Sequence, residues 1–168
     1  KGTDVALAAV AKLIAEGRQV QLALCGTAFT GYDWFENELR ERAARPDLVD
    51  SVKFVGYVNP TWDILAVADI VLVPSRVEPF GNTAVEALLA ERPLVASRTQ
   101  GLCEIVQDGV NGLLAEPGDA DSLAAAIARS LAVTGRQSAL ARFTLRAYRA
   151  AILAAVDQAT ERPSGLAE

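Results

Sequence analysis

The chain contains no histidine, only two cysteines and few aromatic residues. The shortages of histidine and cysteine each exclude a class of chemistry. Without histidine, this 168-residue segment cannot supply a histidine base or nucleophile of its own. Two distant cysteines without histidine also argue against a zinc site. Cys25 ends an apolar segment and Cys103 lies beside Leu102. We therefore expect both cysteines to be buried as small hydrophobic residues, in a protein from a reducing compartment.

Long apolar runs and excess positive charge are missing as well. No segment approaches the ~20 apolar residues of a membrane span, so we expect no span within this segment. Lysine and arginine number 16 against 21 aspartate and glutamate, and the net charge of −5 argues against nucleic acid as a partner. We expect a cytoplasmic protein, or one held peripherally at the cytoplasmic face of a membrane.

The hydrophobic residues that are present indicate an α/β domain. They make up 51% of the chain while aromatic residues make up 6%, so alanine, valine, leucine and isoleucine must build the core. Apolar periodicity and turn residues predict helices over 4–16, 34–44, 60–67, 81–90, 103–107, 120–132 and 139–155. Strands are predicted over 20–24, 52–55, 70–74, 94–97 and 113–115. This alternation predicts a doubly wound, Rossmann-like parallel sheet.

One domain accounts for most of the length. We expect it to cover residues 1–158, followed by a C-terminal tail over 159–168 that carries Pro, Ser, Gly and charge without periodicity. Because the chain opens directly on a helix, we expect a first strand to be missing. That would leave a sheet position open beside the strand over 20–24.

The most informative stretch is 71–86, in which an apolar strand leads into a Pro- and Gly-bearing loop and then a helix. Ligands of open α/β sheets bind where such strands end, and Glu78 stands at that end. The next helix starts near Gly81, where free N–H groups and the positive end of the helix dipole favour a phosphate. The alternative for Gly81 is a plain loop turn. For Glu78 it is a solvated loop carboxylate, and for Glu86 a surface carboxylate of the helix.

Several linked motifs resemble those of one enzyme family. The run EPFGNTAVEAL over 78–88 resembles the E-x7-E motif of the retaining GT-B glycosyltransferases of family 4, also called group 1. Residues 93–97, 101–106, 108–114 and 117–119 resemble the strand, the GG-x-x-E-I-V turn, the D-G-x-x-G-L-L segment and the P-G-D that follow it in that family. Residues 54–58 resemble the F-x-G-x-V segment, and Lys1-Gly2 the Lys-Gly that opens the first helix. The resemblance covers nearly the whole chain, as the C-terminal half of a GT-B fold.

The resemblance implies a donor site for a nucleotide-diphosphate sugar, with no cofactor and no metal. Glu78 is the catalytic candidate and bonds the hexose hydroxyls, Glu86 accepts from the ribose hydroxyls, and Lys1 contacts the diphosphate. Val58 marks the backbone that binds the base. The loop and helix start complete the donor-binding set with Phe80, Gly81, Asn82 and Thr83. An N-terminal domain would bind the acceptor, so this segment alone is expected to be inactive.

Alternatives remain at this point. A GT-B-like nucleotide-sugar epimerase shares the architecture but usually supplies several active-site histidines, and a degenerate domain could serve protein contacts only. Asp119 and Asp121 form a D-x-D pair of the kind that binds metal in GT-A glycosyltransferases. Because Pro117-Gly118-Asp119 precedes an apolar helical pattern, we interpret the pair as a helix cap.

Overall fold

The computed structural model describes residues 1–138 and confirms the α/β class. The helix predicted over 139–155 and the tail over 159–168 lie outside the described residues. Within the described range, the helices are α1 (Thr3–Ala15), α2 (Asp33–Ala43), α3 (Trp62–Val67), α4 (Asn82–Leu89), α5 (Gln100–Ile105) and α6 (Ala120–Ser138). The strands are β1 (Leu22–Cys25), β2 (Val52–Gly56), β3 (Val71–Val73), β4 (Leu94–Ser97) and β5 (Leu113–Ala115).

The strands are all parallel and form two groups. β1 pairs with β2, and β3, β4 and β5 pair in that order. Between β1 and β3 lies a cavity of about 1010 Å³, lined along both strands from their first residues to their last. The two facing strand edges therefore border open space rather than each other.

The helices cover both faces of the β3–β4–β5 sheet, as a doubly wound arrangement requires. On one face, α1 and α6 pack on Val95 of β4. On the other, α3, α4 and α5 pack on Leu94 and Ala96 of the same strand. Val95 therefore points to one face of the sheet, and Leu94 and Ala96 point to the other, because side chains alternate along a strand. All four residues of β4 are buried, which identifies it as the central strand of this sheet.

Alanine makes the close helix packing possible. Ala84 and Ala87 of α4 and Ala9 of α1 are fully buried. Small side chains let these helices approach the sheet and each other, while leucines such as Leu13 and Leu123 fill the remaining volume. The low aromatic content is thus matched by a core of aliphatic residues.

α6 is longer than the sequence pattern predicts. The predicted helix ends at residue 132, but α6 continues through Thr134 and Gly135 to Ser138. A single glycine costs a helix only about 1 kcal/mol relative to alanine, which is too little to end a helix whose earlier turns are packed in the core. α5 also departs from its prediction, since it begins at Gln100 rather than at residue 103. Among residues 1–138, no helix is long and apolar enough to cross a membrane.

Both cysteines are exposed, so the prediction that they are buried was wrong. Burial alternates along β1, and Cys25 falls on the side that opens into the cavity between β1 and β3. Partial desolvation there raises the pKa of the Cys25 thiol. Cys103 lies on the outer side of α5, while Gly101 and Leu102 take the buried positions of that helix.

Candidate functional site

The loop after β3 carries the central carboxylate of the site. Glu78 is 8% exposed, and two side chains donate hydrogen bonds to its Oε2. Lys1 Nζ lies 2.5 Å from that oxygen, and the hydroxyl of Ser75 lies 3.2 Å from it. The interpretation of Glu78 as a freely solvated loop residue was therefore wrong.

Charge and hydrogen bonding keep Glu78 ionised. The Lys1 ammonium, and to a lesser extent the Ser75 hydroxyl, hold the pKa of the Glu78 carboxyl below its ordinary value, against the opposing effect of burial. Lys1 stays largely open to solvent, with 71% of its side chain exposed. An ammonium has three protons to donate, so Lys1 can bond Glu78 and still offer donors to a ligand.

The start of α1 is packed against the end of β3, which explains why Lys1 reaches Glu78. Gly2 has φ +75°, and a Cβ there would lie 1.9 Å from the carbonyl oxygen of Pro74. Only glycine permits this approach of two backbone segments. Two side chains add to the same junction, since Arg76 forms a double hydrogen bond with Asp4 at 2.6 and 2.7 Å. The Arg76 guanidinium lowers the pKa of Asp4.

α5 fixes the shape of the loop over 78–81. The Gly101 N–H donates to the Glu78 carbonyl at 3.2 Å, and a Cβ on Gly101 would lie 2.4 Å from the Pro79 carbonyl oxygen. Gly81 has φ +108°, and a Cβ there would meet Leu102 Cδ2 at 2.7 Å. The fold itself thus requires glycine at position 81. Gly81 therefore has the structural role of a loop-turn glycine. This role does not exclude contact between its backbone and a ligand.

α4 presents Glu86 toward the same cavity as Glu78. Glu86 is the fifth residue of α4, is half-buried, and accepts a hydrogen bond from the Thr61 hydroxyl at 3.2 Å. It is therefore not a plain surface carboxylate. Ala84 and Ala87 anchor the opposite side of α4 in the core. Thr83, in the first turn of α4, lines the cavity together with Glu86.

The structure brings most of the predicted site residues onto one cavity. The lining includes five of the eight, namely Lys1, Val58, Glu78, Thr83 and Glu86. The other three lie outside that lining. Phe80 and Asn82 are exposed at the surface, and Gly81 is buried beneath α5. The cavity thus joins the crevice at the strand ends to the gap between β1 and β3.

The D-x-D pair behaves as a helix cap. Asp119 Oδ1 accepts the backbone N–H of Asp121 at 2.8 Å and of Ser122 at 3.0 Å, at the start of α6. Asp121 points instead to Lys12 of α1, with which it forms an ion pair. Residues 1–138 contain no group of three acidic or cysteine side chains placed to hold a metal ion.

Sequence reasoning missed Ser75 and Thr61, which contact the two glutamates. Ser75 is 2% exposed and stands three positions before Glu78, so a polar residue at the end of an apolar strand was a usable signal. Thr61 lies 25 positions from Glu86, and no motif connects the two. Their contact follows from the tertiary arrangement of α3 and α4.

The family model of the group 1 glycosyl transferases matches residues 1–132. The chain belongs to the group 1 glycosyltransferases. A glycogen synthase of Mycobacterium tuberculosis is 36% identical over 130 residues, which are 76% of this chain and 30% of that protein. An uncharacterized glycosyltransferase of Methanocaldococcus jannaschii, MJ1607, is 33% identical over 137 residues, or 80% of this chain and 34% of that protein.

Solved structures agree with this assignment. HepE of Anabaena, crystallised in complex with UDP-glucose, is 31% identical and superposes with a TM-score of 0.76 over 99% of this chain and 46% of HepE. The sucrose-phosphate synthase of Thermosynechococcus elongatus is 31% identical, with a TM-score of 0.67 over 94% of this chain and 42% of that structure. This glycosyltransferase chain therefore has the fold of the C-terminal half of a GT-B enzyme. It spans about a third of the curated relatives and just under half of these structures.

Proposed function

We propose that this chain binds the nucleotide-diphosphate sugar donor of a retaining, metal-independent glycosyltransferase, and that an N-terminal domain of the same enzyme holds the acceptor. The observation that carries the proposal is the convergence of Lys1, Glu78 and Glu86 on one cavity at the carboxyl ends of the strands. Ligands of open parallel sheets occupy this position. Support also comes from HepE, a relative whose structure contains UDP-glucose.

Each residue has a role that its chemistry suits. Sugar transfer requires stabilisation of the departing diphosphate, on which negative charge builds as the anomeric C–O bond breaks. The Lys1 ammonium and the N–H groups of the first turn of α4, near Gly81, Asn82 and Thr83, supply that stabilisation. Glu78, ionised and held in place, bonds hydroxyls of the hexose and is the catalytic candidate.

The nucleoside occupies the other side of the cavity. Glu86 accepts hydrogen bonds from the two ribose hydroxyls, and charge-assisted bonds of this kind contribute roughly 1.5–3 kcal/mol each where water is excluded. The backbone near Val58 binds the base. Phe80, exposed on the loop after Glu78, is the remaining member of the proposed donor-binding set. The division between sugar and nucleoside follows the two elements that carry the glutamates, the loop after β3 for Glu78 and α4 for Glu86.

We propose further that the domain covers residues 1–158 with a tail over 159–168, and that an extended segment fills the gap between β1 and β3. The facing strand edges and the cavity between them support a parallel strand at that position. We also propose a cytoplasmic location. Two free cysteines in the described chain are compatible with a reducing compartment.

A thermal-shift panel with UDP, GDP, ADP and their sugars tests the proposed donor site. A ligand that binds the native state raises the melting temperature by mass action, so one diphosphate of the panel should raise it in a concentration-dependent manner. EDTA should leave the shift unchanged, because no metal is proposed. Uridine and inorganic diphosphate serve as controls for the two halves of the ligand. A panel without any shift at millimolar ligand would overturn the proposal.

The epimerase alternative receives no support from the relatives named above, which are glycosyltransferases. Because donor and acceptor are proposed to bind to different domains, sugar transfer can be assayed with and without the N-terminal domain. The isolated chain should show no sugar transfer with any donor, whereas the enzyme with both domains should transfer sugar in EDTA. Turnover by the isolated chain would contradict this separation.

A further inference from the structure

We propose that Thr61 is a positioning residue that holds the Glu86 carboxylate in the orientation required by the ribose. This inference rests on the ribose-binding role proposed above for Glu86. The Thr61 hydroxyl donates to Glu86 Oε2 at 3.2 Å, and the bond is partly buried. Among the side chains that the structure describes, those of residues 1–133, this bond is the one hydrogen bond of the Glu86 carboxylate, and no lysine or arginine there lies within ion-pair distance of it.

Glu86 needs such a contact because a glutamate side chain is flexible. To bond two adjacent hydroxyls at once, both carboxylate oxygens must lie in one fixed plane, and ordering a free glutamate reduces the affinity gained. The Thr61 proton occupies one of about four acceptor positions on the carboxylate. Oε1 and the second lone pair of Oε2 stay available to the ligand. The Thr61 hydroxyl therefore orients the carboxylate and leaves enough acceptor positions for the two ribose hydroxyls.

Both ends of the Thr61–Glu86 bond are anchored. The Thr61 carbonyl accepts the Leu65 N–H at 3.0 Å, which ties residue 61 to the first turn of α3, and Leu65 is buried in the core. Glu86 belongs to α4, whose Ala84 and Ala87 are fully buried. The bond thus connects two fixed backbones across the cavity wall. It also links the segment after β2, which includes Val58, to the helix that carries Glu86.

The test compares UDP, the nucleotide part of the ligand in the related HepE structure, with 2′-deoxy-UDP by titration calorimetry on the enzyme with both domains. If the thermal-shift panel selects GDP or ADP, that diphosphate and its 2′-deoxy form replace the uridine pair throughout. Thr61→Val removes the hydroxyl at nearly constant volume, and Thr61→Ser keeps it. Wild-type enzyme should bind UDP about tenfold or more tightly than 2′-deoxy-UDP, because one charge-assisted bond is lost. Thr61→Val should weaken UDP by about three- to tenfold and reduce the preference for UDP over 2′-deoxy-UDP, while Thr61→Ser should restore both.

A double-mutant cycle with Glu86→Ala separates positioning from direct contact. If Thr61 acts through Glu86, Thr61→Val should have no further effect on UDP affinity in the Glu86→Ala background. An equal loss in both backgrounds would mean that Thr61 contacts the ligand itself, and it would overturn the inference.

The two remaining outcomes are distinguishable. If the wild-type enzyme binds both diphosphates equally, the proposed ribose-binding role of Glu86 is wrong, and this inference is wrong with it. A wild-type enzyme that prefers UDP, with a Thr61→Val variant that keeps the full preference, would overturn the positioning role alone. Melting temperatures of all variants show that each is folded, and Thr61→Ala, which also lacks the hydroxyl, carries the same comparison if Thr61→Val is unstable.

Discussion

Lys1 Nζ and Glu78 Oε2 lie 2.5 Å apart although 77 positions separate them in the chain. The contact joins the start of α1 to the loop after β3, at the edge of the sheet where the ligand is proposed to bind. The same oxygen also accepts the Ser75 hydroxyl. One carboxylate thus ties two elements together in the free protein and is the group proposed to hold the hexose.

Stability should fall in acid partly because of this ion pair. The folded-state pKa of Glu78 is lowered, chiefly by Lys1, so its ionised form stabilises the fold above the unfolded-state pKa of about 4.3, and that contribution is lost as the pH falls through the lowered value. Lys1 is largely exposed, which limits the effect to roughly 1 kcal/mol or less. Melting temperatures between pH 3 and 7 should fall less steeply for Glu78→Gln and Lys1→Gln than for the wild type. Parallel curves for all three would contradict this.

The order of elements, and the placement of most candidate site residues on one cavity, were predictable because both depend on local signals. The apolar residues at the core of β4 form an uninterrupted run, and Glu78 and Glu86 flank a glycine at a strand-to-helix junction. These patterns are contained within about ten residues each. The interpretation of Asp119 as a helix cap also came from a local signal, since a Pro-Gly-Asp run precedes a helix.

The remaining features depend on contacts between distant residues. The exposure of Cys25 follows from the open edge of β1, which no residue near it in sequence reveals. Thr61 touches Glu86 only because α3 and α4 pack on the same face of the sheet. α6 continues through Gly135 because the cost of one glycine is modest and the earlier turns of the helix are held by the core.

Gly81→Ala should destabilise the fold more than an otherwise comparable glycine substitution. The new Cβ would lie 2.7 Å from Leu102, at a residue with φ +108°. Gly109 also has a positive φ, +78°, but open space around it, so Gly109→Ala measures the conformational cost alone. We expect about 1–2 kcal/mol for Gly109→Ala and 1–3 kcal/mol more for Gly81→Ala, by urea unfolding. Equal losses would mean that the loop can move away from α5.

Asp119→Ala should lower the free energy of unfolding by about 0.5–2 kcal/mol, because two backbone N–H groups at the start of α6 lose their acceptor. Asp119→Asn keeps a capping oxygen and should retain most of that stability. The loss should be the same in EDTA. A loss of stability on adding EDTA to the wild type, absent in Asp119→Ala, would instead indicate a metal at this position.

Substitutions of Glu78 and Glu86 should affect different ligands. Glu86→Ala should weaken the nucleotide diphosphate and the nucleotide-sugar alike, by about 2–4 kcal/mol, because two charge-assisted hydrogen bonds to the ribose are lost together. Glu78→Ala should leave the affinity for the nucleotide diphosphate nearly unchanged and lower kcat/KM in the enzyme with both domains, since contacts to the reacting sugar count most in the transition state. Glu104, an exposed glutamate of α5 outside the cavity lining, provides the matched Glu→Ala control. Titration calorimetry with the diphosphate that the thermal-shift panel identifies decides the matter, because equal losses for Glu78→Ala and Glu86→Ala would show that the roles are not divided between sugar and ribose.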